Sequence, residues 1–269
     1  MEKKRILFAS QEVTPYLPET PIAKIGRELP QGIQEKGKEI RIFMPRFGKI
    51  NERRNQLHEV IRLSGMNLII NDTDHPLVIK VASIQAAKMQ VYFIDNEEYF
   101  KRKAVFLDEE ENSFTDNDER AIFYARGVLE TIKKLRWVPD VIHCHGWFSH
   151  LIPLYIKKAY NDDPIFQDTK VIYSIYDDEF PNPLAKGYSE KVLLENIDTK
   201  DLSLLEKPDF VNVYKQAIQF SDAIIMGSET LHTELESFIK TLDKPVLEYQ
   251  GQEDYVTAYS DFYDQISEK

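Results

Sequence analysis

The chain has 269 residues, 42% of them hydrophobic and 29% charged, with a formal net charge of -11. This is enough for one large globular domain or two small ones, and the acidic balance argues against nucleic acid, whose phosphates require clustered Lys and Arg. Cys144 is the single cysteine, so no internal disulfide can form, which suits a reducing compartment. The apolar part of MEKKRILFAS is too short for a signal-peptide core and no later run could span a bilayer, so a cytoplasmic chain without a membrane partner is expected.

In chain order, RILFAS (Arg5 to Ser10) reads as a buried strand. A helix follows, with Thr20 as its cap and Pro21 at its first position. Ile22, Ile25, Leu29 and Ile33 repeat at helical spacing, Pro30 is expected to kink or shorten the helix, and Gly37 suits its end. EIRIFMP (Glu39 to Pro45) is the next strand. HEVIRLS, MNLII, PLVIKVASI and QVYFID are β-type segments with few helical signals between them, read as inserted hairpin or edge strands. Asn117 to Leu135 is a helix capped by Asp116 or Asn117. DVIHCH (Asp140 to His145) is a strand, Phe148 to Tyr160 a helix broken early by Pro153, and KVIYSIY (Lys170 to Tyr176) a strand. A helix over Val211 to Phe220 leads to the strand DAIIMGS, and Ser228 is expected to cap another helix reaching about Ile239. Strands alternating with helices predict an α/β fold with a doubly wound, mostly parallel, Rossmann-like sheet carrying an inserted set of β-hairpin strands. In such sheets ligands sit beyond the carboxyl ends of the strands, so the residues after Ser10, Pro45, His145, Tyr176 and Ser228 matter most.

Three stretches carry chemistry. In VIHCHGW, His143 and His145 share one face of a strand and Cys144 points to the other. The histidines could donate to a sugar hydroxyl or phosphate and Trp147 could stack on a sugar ring; equally, all three could be packed core or rim. This spacing does not converge on a metal, and no metal or cofactor is expected. In YSIYDDEFP, Tyr176, Asp177, Asp178 and Glu179 follow a strand and read either as acid-base or cation-binding groups or as a solvated loop. The run Asp108 to Glu111 reads as a surface loop. The third stretch, TPYLPETPIAKIGRELP, stands where an α/β protein holding a diphosphate presents glycines, helix amides and a cation. Pro21 deletes one amide, Pro18 offers neither charge nor donor, and Glu19 repels phosphate, leaving the amides of Ile22 and Ala23. A sugar nucleotide is therefore not expected to bind tightly here.

Several of these motifs, in order, resemble the N-terminal, acceptor-side domain of bacterial glycogen synthases and plant starch synthases. ILFASQEVTPYLPETPIAKIGRELP parallels that family's opening strand, Ser-Glu-x-x-Pro turn, glycine loop and first helix. DNDERAIFYARGVLETIKKLRWVPDVIHCHGW parallels its helix and Pro-Asp-x-x-His-x-His-Asp-Trp strand. VYKQAIQFSDAIIMGSETLHTEL parallels its Lys-x-x-x-x-x-Ala-Asp-x-x-x-x-Val-Ser-x-x-Tyr segment. The resemblance implies one half of a two-domain GT-B fold and a retaining, metal-independent transfer of glucose from ADP-glucose to an α-1,4-glucan. Carried over by position, Glu12, His145 and Trp147 match. The family's Lys-x-Gly-Gly falls on Pro18, Glu19, Thr20 and Pro21, its Asp before Trp on Gly146, and its His-Asn pair on Tyr176 and Asp177.

The expected organisation is an N-terminal-like α/β domain over residues 1–245 and a tail over residues 246–269, in which Tyr255, Tyr259, Phe262, Tyr263 and Ile266 recur at helical spacing. GT-B chains of the family end in a helix that returns to the first domain, and the tail is read as that helix, with the donor domain missing. The resulting expectation is a degenerate member, with no confident catalytic residue, that binds an α-glucan, an oligosaccharide or a partner without catalysing alone. Glu12, His145, Trp147, Tyr176 and Asp177 are its ligand-binding candidates. The alternatives are an active subunit completed by a donor domain on another chain, and a scaffold that pairs with itself or another protein through the face vacated by the second domain.

Overall fold

The computed structural model describes residues 3–251 and 255–268. The elements are β1 (Arg5–Ser10), α1 (Pro21–Glu35), β2 (Glu39–Pro45), β3 (His58–Glu59), β4 (Met66–Ile70), β5 (Thr73–Ile84), β6 (Met89–Asp95), α2 (Glu97–Phe100), α3 (Asn117–Leu135), β7 (Val141–His145), α4 (Leu151–Lys157), β8 (Lys170–Ile175), α5 (Tyr188–Val192), α6 (Phe210–Phe220), β9 (Ala223–Met226), α7 (Thr233–Ile239), β10 (Val246–Leu247) and α8 (Tyr255–Ser267).

The strands form a sheet in the order β10-β9-β8-β7-β1-β2-β6-β5-β3, with β4 paired to β5. From β10 to β6 every pairing is parallel, and β3, β4 and β5 add an antiparallel edge. The parallel strands are continuous apolar runs because both faces of the sheet are covered; Ile6, Leu7, Phe8 and Ala9 of β1 are all fully buried. One face carries α1 and α8, the other α3, α4, α6 and α7. The chain moves from β1 outward through β2 to β6, then returns to place β7 on the other side of β1. That reversal opens a crevice beyond the carboxyl ends of β1 and β7.

Local departures from the expected elements have physical causes. HEVIRLS forms ladder pairs with β5 at His58 and Glu59; the Val60 amide donates to Ile79 O at 2.8 Å, and Val60 to Ser64 then close a turn in which Ser64 N donates to Val60 O. Helix α1 runs past Pro30 to Glu35, with Pro30 buried in the core. Asp116 does not cap α3 through its side chain, because its carboxylate pairs with Arg102 Nη2 at 2.6 Å. Pro153 falls in the first turn of α4 and does not break it, since amides there lack intrahelical partners in any case. Ser228 is not a helix cap: it accepts the Asp177 amide at 3.1 Å, and α7 begins later, after His232.

Helix α8 lies on the same face of the sheet as α1. Tyr259, Phe262, Tyr263 and Ile266 are buried against the sheet side, and Asp264 pairs with Lys4 at 3.2 Å and with Lys38 at 3.0 Å. Its approach to α1 depends on Gly32, where a Cβ would overlap Val256.

Candidate functional site

The strand register places the expected residues at the crevice. Ser10 of β1 stands opposite His145 of β7, and His145 opposite Ser174 of β8. Alternation sends His143 and His145 to the α8 face and Cys144 to the other, where it is buried near Tyr124 and Ser149.

The two histidines are fully buried, with ring centroids 3.8 Å apart. His143 exchanges hydrogen bonds with the Tyr263 hydroxyl through Nδ1 at 2.6 Å and with Ser174 Oγ through Nε2 at 2.7 Å. His145 meets the Tyr176 hydroxyl through Nδ1 at 2.7 Å, and its Nε2 has no protein partner. Burial holds both imidazoles neutral: His145 is pushed down to about 3, and His143 well below its ordinary 6.5 by burial and by its neighbour. Tyr176 is only 2% exposed and its ring lies on Gly227, where a Cβ would overlap it. His145 is thus roofed by Tyr176.

Above this roof is an open cleft of about 230 Å³ lined by Gln11, Glu12, Thr20, Pro21, Asp177, Asp178 and Ser228. Thr20 Oγ1 donates to Glu12 Oε2 and accepts the Ala23 amide at 3.0 Å. Of the two amides that Pro21 leaves at the start of α1, one is therefore already taken. Pro18, Glu19 and Pro21 are exposed and bring no cation. Burial raises the Glu12 carboxyl above its usual range against the lowering effects of Thr20, Gln11 and Lys49.

Asp177 is exposed. Its neighbour Asp178 turns inward and accepts the Tyr214 hydroxyl, with longer contacts from Gln11 Nε2 and the Trp147 amide, both at 3.4 Å. Burial raises Asp178 to about 7, opposed by the Tyr214 and Trp147 hydrogen bonds and assisted by the charge of Glu12. Gly146 completes the turn after β7 at φ 80°, and a Cβ there would overlap the side chain of Gln11; Gln11 Oε1 in turn accepts the Phe148 amide at 3.2 Å. The Gln11 amide therefore fills the space beside residue 146.

Trp147 is 2% exposed, wedged between Phe106 and Phe180 with centroids at 4.8 Å from each. It contributes to the wall of a second cavity of about 230 Å³, between the loop over residues 106–116 with the start of α3 and the loop over residues 180–185. Of the sequence candidates, Glu12, Tyr176 and Asp177 line the first cleft, His145 lies beneath it and Trp147 beside it. Sequence reasoning passed over Gln11 and Tyr214 and left Asp178 between a site and a loop. Period two gave no signal for Asp178: β8 ends at Ile175, and Asp178 is held by Tyr214 of α6, on the face opposite the histidines that Ser174 and Tyr176 meet. Among the described residues, no group of three or more His, Cys, Asp and Glu side chains is arranged to hold a metal ion, and no helix is long and apolar enough to cross a membrane.

A doubly wound, mostly parallel sheet with an open crevice at its switch point is that of the α/β proteins that hold ligands beyond the carboxyl ends of their strands. The chain belongs to the starch synthase catalytic domain family, whose profile matches residues 5–244. It is 35% identical over 237 residues to a glycogen synthase of Chlorobium luteolum, covering 86% of this chain and 48% of that protein. A glycogen synthase of Chlorobaculum tepidum is 33% identical over 248 residues, covering 91% and 49%. The chain spans about half the length of the curated relatives it matches. In fold it matches the catalytic domain of starch synthase IV from Arabidopsis thaliana, solved with ADP and acarbose, at a TM-score of 0.72 and 16% identity over 93% of this chain and 52% of that one.

Proposed function

We propose that this chain is a degenerate glycogen/starch synthase-family domain that binds an α-glucan or oligosaccharide at the Glu12–Asp178 cleft and does not transfer glucose by itself. The observation that carries the reading is the lining of that cleft. Where a leaving diphosphate needs preorganised cations and free amides, this cleft presents Glu12, Asp177 and Asp178, Pro21 and a helix amide already held by Thr20. His145 is neutral and roofed by Tyr176, so it offers no positive charge to a phosphate.

The same groups suit a neutral polyhydroxylated ligand. A carboxylate accepts hydrogen bonds from paired sugar hydroxyls, and a carboxyl poised near neutrality, as Asp178 is, can accept or donate. The Ser228 and Thr20 hydroxyls add adaptable partners at the rim.

Titration calorimetry of the pure chain against maltoheptaose, ADP and ADP-glucose tests this. The expected result is heat with maltoheptaose and none with either nucleotide. Tight ADP-glucose binding would overturn the reading in favour of an active synthase subunit. No binding of any of the three, with a dimer in light scattering, would overturn it in favour of a scaffold.

A further inference from the structure

A third space, a groove of about 170 Å³, adjoins the cleft. It is made by α8, the segment at Tyr249 and the outer side of α1, and it shares Pro21 and Tyr176 with the cleft lining. We propose that this groove is an additional subsite for a linear oligosaccharide, taking the sugar rings beyond those held at Glu12 and Asp178. The inference rests on the glucan-binding reading above and assigns the direction in which the bound chain runs: from the switch point, over Pro21, onto α8.

Three observations carry it. First, the lining has the two kinds of surface a pyranose presents partners for. Tyr249, 40% exposed, and the half-buried Tyr255 offer aromatic surface for the sugar's C–H faces, and Tyr259, itself buried, packs against Tyr255. Lys24 and Glu28, one turn apart on α1, give a donor and an acceptor for its hydroxyls. Second, the aromatic surface is held in place. Tyr255 and Tyr259 pack edge to face with centroids 5.9 Å apart, and the Tyr255 hydroxyl is directed to Glu28 Oε2 at 3.4 Å. Ordered rings lose little freedom on binding. Third, the two spaces adjoin: the groove and the cleft, at about 170 and 230 Å³, share Pro21 and Tyr176 in their linings, so a chain longer than the cleft holds passes directly into the groove.

The test compares a short and a long ligand. Maltotriose and maltoheptaose are titrated into the full chain and into Tyr249→Ala, Glu28→Gln and Glu12→Gln variants. Tyr249 and Glu28 are exposed, so their replacement leaves the core intact. The proposal expects Tyr249→Ala to weaken maltoheptaose about tenfold, the size of a typical aromatic contact residue, with maltotriose affinity unchanged. Glu28→Gln should show the same length dependence at smaller amplitude, and Glu12→Gln should weaken both ligands. If both sugars bind but neither groove variant distinguishes them, the groove proposal falls and the cleft reading stands. If neither sugar binds the unaltered chain, both fall. ADP binding that is lost in Tyr249→Ala would assign the groove to a nucleobase and also overturn the proposal.

Discussion

Replacing Asp178 by Asn should stabilise the protein, and only above mildly acidic pH. Asp178 sits under the cleft with its ordinary pKa of 3.8 raised to about 7, chiefly by burial. Below about pH 4 the carboxyl is protonated in both folded and unfolded chains and contributes no pH dependence. Between about pH 4 and pH 7 the unfolded chain releases the proton while the folded chain keeps it, so stability falls as pH rises. Above about pH 7 the loss is complete. The full shift corresponds to ~4 kcal/mol, and partial exposure of the group reduces this to about 2–4 kcal/mol. Asn keeps an acceptor for Tyr214 and removes the ionisation. His145, His150 and His143 act in the opposite sense: burial depresses them, the first two to about 3 and about 4, so their contribution is lost on acidification below the ordinary 6.5. The informative quantity is therefore the difference between Asp178→Asn and the parent chain in urea denaturation across the pH range. It should be near zero at about pH 4 and reach about 2–4 kcal/mol in favour of the variant at about pH 8. A constant difference, or one that grows toward acid, would refute the placement of Asp178 as a buried, largely protonated carboxyl.

Other perturbations test the surrounding construction. Tyr176→Phe leaves His145 with no partner at Nδ1 as well as Nε2, so denaturation should show a loss of about 1–3 kcal/mol; an unchanged midpoint would contradict the roof. Gly146→Ala should cost about 1–3 kcal/mol, because φ is 80° and the new Cβ meets Gln11. Adding Gln11→Ala should recover the steric part and leave the backbone part. Gly32→Ala should loosen α8, read as faster hydrogen exchange over residues 255–267, and Val256→Ala in the same chain should reverse most of that effect.

The parallel half of the sheet was legible because RILFAS, EIRIFMP and KVIYSI are strands covered on both faces, and such strands are written as unbroken apolar runs. HEVIRLS was misleading: His58 and Glu59 pair as a strand, and the apolar residues after them serve a turn whose inner contact is Leu63. At the site, Glu12 and His145 could be picked out by position. Their condition could not. The burial of His145 depends on the Tyr176 ring resting on Gly227, and the choice of Asp178 over Asp177 as the inward carboxylate depends on Tyr214 of α6. Those partners are distant in sequence and only the folded arrangement brings them together. The tyrosines of α8 announced a helix through their spacing, but that Tyr263 should end on His143 is a tertiary fact.

The attachment of α8 has a consequence for how the protein is made. Lys4 donates to Ser267 Oγ at 2.8 Å, and Tyr263 supplies the partner of His143. A chain leaving the ribosome can pair β1, β7 and β8 long before α8 emerges, and during that interval the imidazole of His143 and the apolar face around Phe8 are open to water. Synthesis proceeds at about 5–20 residues per second, so the unfinished sheet persists for seconds with α1 alone on that face and the α8 position uncovered. Translational pausing ahead of Tyr255 should prolong that state and favour capture by chaperones or proteases.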